Sequence, residues 1–191
     1  DGATEALRYV AEEQDYDAKR SSVWRNMLVE GTGGIGVSVT EAVDYNGQPG
    51  VEIKISRYSW DRLFYDPHSS ELDFEDAGYR GVVIWMDYDD ALAMYRDNPD
   101  AAEILDTTLT TAPSDTYDDK PKHSLWADKK RKRVRICQIW VKRDEKWYFA
   151  EYTKGGILKS GPSPFVTVKG EPDCELIFQS AYIDRDNNRY G

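Results

Sequence analysis

Hydrophobic positions along the 191-residue chain change their period several times, and each change marks an element. Ala6, Leu7, Val10 and Ala11 recur at helical spacing over Thr4 to Glu13, with Thr4 placed as an N-cap and Glu5 in the first turn. Val23, Trp24, Met27 and Leu28 repeat that spacing, so a second helix is expected from Tyr16 to Glu30, ending at Gly31. The period then falls to two. Ile35, Val37 and Val39 alternate with Gly36, Ser38 and Thr40, the pattern of a strand with one buried face that runs to Tyr45. A second strand, Val51 to Tyr58, is expected to return across Asn46-Gly47-Gln48-Pro49-Gly50, a hairpin connection longer than the two-residue form.

Leu63, Phe64 and Tyr65 predict a short strand stopped by Asp66-Pro67, because the proline ring removes a backbone donor and biases the preceding residue away from helix. Val82 to Met86 predicts another strand. Asp87 then opens a helix bearing Ala91, Leu92 and Tyr95, which Asn98-Pro99 ends, and a short helix follows from Asp100 to Leu105. Thr107 to Lys132 is polar and reads as a long loop or partly disordered excursion. In Arg133 to Arg143, Val134, Ile136, Gln138, Trp140 and Lys142 face one way while Arg135, Cys137, Ile139, Val141 and Arg143 face the other. Asp144-Glu145 turns the chain back into Trp147 to Tyr152, and extended pieces are expected near Ile157 to Lys159, Phe165 to Val168 and Glu175 to Gln179. The sum is an α+β class, with amino-terminal helices packed on largely antiparallel strands and hairpins. One domain is expected over 1–191: helical over 1–31, mixed strands and helix over 34–106, a loop over 107–132, and β-rich over 133–182.

The stretch EGTGGIGVSV places Gly31, Gly33 and Gly36 at the spacing of a dinucleotide-binding fingerprint. That motif works only where a strand precedes it and a helix follows, since the helix N-terminus holds the pyrophosphate. Here the order is helix, glycines, strand. The preferred reading is structural: Gly31 takes a left-handed cap, and Gly33 or Gly34 helps the chain turn into the strand. A nucleotide-binding enzyme using glycines 31–36 stays as the lesser alternative.

Charge changes the picture more than composition does. The formal net charge is −10, but Asp61 to Asp119 holds 16 acidic and 3 basic residues, whereas Lys120 to Tyr148 holds 11 basic and 3 acidic, so the local balances are −13 and +8. The sharpest basic run is Lys129, Lys130, Arg131, Lys132, Arg133 and Arg135. It reads as a solvated loop or a contact for an acidic partner, with phosphate contact in a nucleic-acid-binding module or a nuclear-import address as alternatives. Asp87, Asp89 and Asp90, and likewise Asp73, Glu75 and Asp76, read as helix-start capping groups ahead of calcium or acid–base chemistry; a calcium loop starting at Asp87 would have Leu92 and Asn98 where glycine and glutamate are needed. His68 and His123 have no ligand-spaced neighbours, and Cys137 and Cys174 are expected as reduced, buried thiols. No metal, cofactor or catalytic residue is expected. No run of about 18 apolar residues is present, no signal-peptide pattern opens the chain, and no membrane partner is expected.

The order of motifs resembles the portal, or head-to-tail connector, proteins of tailed bacteriophages and prophages, in particular those of short-tailed phages. The residues that carry the resemblance are NMLVEGTGGIGVSV, RYSWDRLFYDPHSSELDFEDAGYRGVVIWM with the following DYDDALAMY, the strand pair VRICQIWVKRDEKWYFAEYTKGGIL, and QSAYIDRDNNRYG. The resemblance implies a structural subunit of a homo-oligomeric ring at a capsid vertex of the virion, made in the bacterial host cytoplasm. Through that ring DNA is packaged and ejected without sequence-specific binding. Terminase, capsid and tail or adaptor proteins are the implied partners, and catalysis belongs to the terminase. In that family the glycine-rich exit and the Asp66-Pro67 stop are structural features. Channel-lining helices and the clip are expected beyond RDNNRYG, so the chain is expected to be an excised amino-terminal fragment of the wing region.

Overall fold

The computed structural model describes residues 2–43, 47–112 and 125–191, and the chain divides into two compact units, residues 1–80 with 163–191 and residues 81–162. In chain order the first unit carries α1 (Gly2–Glu13), α2 (Tyr16–Glu30), β1 (Thr32–Val43), β2 (Pro49–Tyr58), a 3-10 turn at Trp60–Arg62 and β3 (Leu63–Tyr65). β4 (Tyr79–Asp87) begins in the first unit and continues into the second, which holds α3 (Tyr88–Met94), α4 (Ala101–Thr110), β5 (Ala127–Asp128), β6 (Arg133–Arg143), β7 (Lys146–Thr153) and β8 (Gly156–Pro162). The first unit is completed by β9 (Leu176–Ser180), β10 (Tyr182–Ile183) and β11 (Arg189–Tyr190). The pairs β1–β2, β1–β9, β10–β11, β5–β6, β6–β7 and β7–β8 are antiparallel, and the class is α+β.

In the first unit α2 stops at Gly31, whose φ of 86° lets its N–H turn back to Met27 O at 3.1 Å. β1 follows as the middle strand of a three-stranded sheet, β2-β1-β9, with Gly34 opposite Tyr58 on one side and Phe178 on the other. A Cβ on Gly34 would sit 2.6 Å from the Phe178 ring, so glycine there is what allows the ring to lie against the strand. Phe178, Leu176 and Phe74 are buried, and Phe74 meets Tyr65 and Phe178 edge-on at 4.6 and 5.8 Å. The buried Arg80 donates to Leu176 O at 3.2 Å and to Phe74 O, satisfying carbonyls in that core. α1 lies against α2, and the Gln14 side chain just past it accepts the Ile55 N–H at 3.2 Å on the edge of β2.

In the second unit β4, β6, β7 and β8 lie side by side, with β5 also pairing β6. Ala91, Tyr95, Ala101 and Leu105 of the α3–α4 region bury against Val134, Ile136 and Leu158 of the sheet. The β6–β7 turn places Asp144 and Glu145 at φ 49° and 60°, the two consecutive left-handed residues of a tight hairpin. At the β7–β8 turn Gly155 N–H donates to Thr108 Oγ1 at 2.9 Å, and a Cβ there would lie 2.1 Å from Ile104 O.

Several expectations are corrected. Helix α4 continues through Thr107–Thr110, where a loop is predicted, because Leu105 and Thr108 are fully buried and the Thr108 hydroxyl bonds Ile104 O inside the helix at 2.9 Å. Ala127–Asp128 is a strand, and 113–124 lie outside the described residues, as do Asn46 and Tyr45 of the first hairpin. Thr4 is no N-cap, since α1 already runs from Gly2. Asp87 stands at the N-cap of α3 but its carboxylate makes no cap bond and meets Arg133 instead. Asp73, Glu75 and Asp76 start no helix; they belong to the loop between β3 and β4. Phe165 to Val168 holds one isolated bridge, Val166 with Pro172, in place of a strand. The β10–β11 pair, closed by Tyr182 stacking on Tyr190 at 5.4 Å, has no counterpart in the predicted elements.

Candidate subunit-contact surface

The basic run is a turn. Asp128 of β5 pairs with Arg133 of β6, so Lys129 to Lys132 form the connection, with Lys132 at φ 49°. The buried Asp128 carboxylate organises it, accepting the Arg131 N–H at 3.0 Å and facing the Arg131 guanidinium at 3.5 Å. Lys129 Nζ donates to Thr110 O at 2.9 Å, a cation on the carbonyl end of α4. Lys132 O accepts the Tyr88 N–H at 2.9 Å, which ties the turn to the start of α3. Arg133 Nε lies 2.9 Å from the Asp87 carboxylate while its terminal nitrogen donates to Trp85 O at 2.9 Å. Arg135 stacks 5.1 Å from the Trp126 ring centre, and that ring lies 6.2 Å from Tyr152.

Lys129, Arg131, Arg133 and Arg135 are therefore engaged within the second unit, and the exposed lysines of the run that point outward are Lys130 and Lys132. Two carboxylates, Asp87 and Asp128, offset part of the charge, so six cations act on the surroundings as a net of about +4. The aromatic partner Trp126 and the carboxylate Asp87 are what sequence reasoning missed. Asp128 lies directly beside the run and was legible; Asp87 is brought in only by the β4–β6 pairing.

Gly31, Gly33 and Gly34 lie in the other unit, as do Asp66 and Pro67. Gly33 and Gly34 lie inside β1 with ladder partners Gln179 and Phe178, so the glycine stretch continues as strand and no helix follows it. Asp66 caps the loop that begins at Pro67: its carboxylate accepts the His68 N–H at 2.9 Å and the Gly78 N–H at 3.0 Å. Asp76 holds the loop's interior. Burial acts to raise its pKa, but the hydroxyls of Ser69 and Ser70 and the amides of Ser70 and Glu71 outweigh that and hold it at about 2. Arg189 closes the loop from the far end of the chain, donating to Ser69 O and Glu71 O at 3.0 Å with its guanidinium 3.7 Å from the Phe74 ring centre.

Elsewhere the polar groups are structural. Glu151 is buried in the second unit and accepts Gln138 Nε2 at 2.6 Å; burial, then the charge of Glu151, raises the Tyr95 hydroxyl pKa. Cys137 and Cys174 are free, buried thiols, and burial pushes Cys174 up to about 12. Among the described residues no group of three His, Cys, Asp or Glu is arranged to hold a metal ion, and His123 lies outside them. No helix of the described residues is long and apolar enough to cross a membrane.

The chain matches the family model of phage P22-like portal proteins over residues 1–149, and it belongs to that family, whose members are structural components of the virion. The match takes in the helix with its glycine exit, the Asp66-Pro67 stop, the basic turn and the β6–β7 hairpin as far as Phe149. The closing QSAYIDRDNNRYG lies beyond it. Comparison with curated proteins finds no match.

Proposed function

We propose that this chain forms the peripheral, wing-like part of a portal subunit, one copy of a ring at the capsid vertex through which DNA is packaged and ejected. The observation that carries the reading is the family match over residues 1–149. In this reading the chain is assembled in the host cytoplasm, resides in the virion, and works by holding neighbours in place; terminase, capsid and tail or adaptor proteins engage the complete ring. Lys130 and Lys132 are its charged contact. They meet an acidic surface on the adjacent subunit, and the loop carrying Glu71, Asp73 and Glu75, all exposed, supplies matching charge. A contact that closes into a ring needs two different patches on each copy, and opposite charge gives them register. Because surface charges are screened over about 8 Å at physiological salt, the contact tunes association more than it drives it.

The test is the double reversal Lys130→Glu and Lys132→Glu in the portal protein carrying this chain, leaving Lys129, Arg131, Arg133 and Arg135 to hold the turn. Slower or incomplete ring assembly, with an unchanged circular dichroism spectrum and a defect that deepens at low salt, is expected. Normal rings combined with lost, salt-dependent DNA affinity would replace the subunit contact by a phosphate contact.

A further inference from the structure

β10 and β11 make a sheet of two strands, with Tyr182 stacked on Tyr190, and this small hairpin touches the first unit in two places. One is the exit of α2. The Ala181 N–H, at the start of the hairpin, donates to Gly31 O at 3.1 Å, and Gly191 lies so close to the last turn of α2 that a Cβ on it would stand 2.3 Å from Leu28 O. The other is the loop between β3 and β4, residues 66–78. Arg189 Nη1 donates to Glu71 O at 3.0 Å and to Ser180 Oγ at 2.8 Å, and its Nη2 donates to Ser69 O and Ser69 Oγ at 3.0 Å. The same guanidinium lies 3.7 Å from the Phe74 ring centre and 5.3 Å from that of Tyr65.

Phe74 is where this loop stores strain. It is fully buried at φ 61°, a left-handed conformation that is an outlier for a bulky side chain and persists only where the surroundings over-determine it. Tyr65 of β3, Phe178 of β9 and Arg80 of β4 hold it from strands within the larger sheets. Arg189 holds it from a two-stranded hairpin, a structure that is marginal in water and among the first to open. We propose that the β10–β11 hairpin is a clasp that couples the 66–78 loop to the exit of α2. With Arg189 seated, Phe74 stays left-handed and the loop has one shape. When the hairpin lifts, the guanidinium leaves the ring, its bonds to Ser69 and Glu71 open together, and Phe74 relaxes toward the ordinary backbone regions. The last turn of α2 then loses the backbone that lies against it. The inner β1–β2 pairs, from Gly34–Tyr58 to Val37–Ile55, take no part. Coupling of this kind is reciprocal, so a partner that grips the loop also steadies the α2 exit, and the reverse.

Hydrogen exchange of the portal protein carrying this chain, read on peptides by mass spectrometry, tests the clasp through Arg189→Gln, which removes both the charge and the planar fork. Exchange is expected to rise about tenfold or more over residues 69–78 and also in the last turn of α2, the scale of losing charge-assisted bonds. The inner β1–β2 pairs should keep their protection. A loop that opens while the α2 exit stays protected, or no rise in either, would overturn the coupling. An equal rise in the inner pairs would also overturn it, because Arg189 would then be an ordinary core contact. Phe74→Leu tests the reverse direction: removing the aromatic ring should raise exchange over residues 182–190 and leave the inner pairs unchanged, and an unmoved hairpin would overturn the clasp. Should Arg189→Gln fail to fold, the Phe74→Leu result decides alone.

Discussion

Replacing Gly31 by alanine probes the turn on which the first unit is organised. Gly31 sits at φ 86°, a left-handed conformation that costs a residue with a Cβ about 1–2 kcal/mol. The new Cβ would also lie 2.6 Å from both N and Cα of Tyr190, so the end of the chain must move. That end is fastened by Arg189, which donates to Ser69 O, Ser69 Oγ and Glu71 O at 3.0 Å and to Ser180 Oγ at 2.8 Å. Loosening one or two of these charge-assisted bonds, at about 1.5 kcal/mol each, brings the total to roughly 3–5 kcal/mol. Hydrogen exchange in urea, followed on peptides spanning α2 and β1, reads this unit apart from the other. In a chain shortened by Arg189 to Gly191 the obstacle is gone, and the same substitution should cost only about 1–2 kcal/mol. A loss below about 0.5 kcal/mol in the intact chain, or equal losses in the two backgrounds, would refute the reasoning.

In the second unit Leu105→Ala, at a fully buried position, should cost about 2–5 kcal/mol in urea unfolding read on β6 and α4 peptides, and leave exchange in α2 unchanged. Asp76, held at about 2 against an ordinary 3.8, contributes stability that is complete above pH 4 and lost as the pH falls through 2; Asp76→Asn should therefore flatten the loss of loop protection between pH 4 and pH 2, and an unchanged acid limb would count against the network. Cys174, with its thiol pushed up to about 12 by burial, should resist an aromatic disulfide reagent at pH 8 until the first unit unfolds, so immediate labelling in native buffer would contradict its burial.

Much of the architecture was legible because local periodicity and turn chemistry agreed with it. The helical spacing before Gly31, the alternation after it, and the stop at Asp66-Pro67 all appear where the pattern puts them. The helix through Thr107–Thr110 was not, since threonines read as polar loop and only the packed core reveals that Thr108 turns inward. The basic run was visible as charge, but its state was not. Asp87 reaches Arg133 from 46 positions away through strand pairing, and no local rule announces that most of a cationic run is engaged by its own fold. The same holds for Arg189, which closes a loop 118 to 120 positions earlier in the chain. The family resemblance rested on the order of aromatic and turn motifs, and the match over residues 1–149 establishes membership.

Electron microscopy joined to native mass spectrometry of the portal protein carrying this chain tests the central claim most directly. The account predicts closed rings of one copy number, with this chain at the periphery and the basic turn of each copy facing its neighbour. A protein that remains monomeric at assembly concentrations, or that builds open filaments without closure, would contradict it.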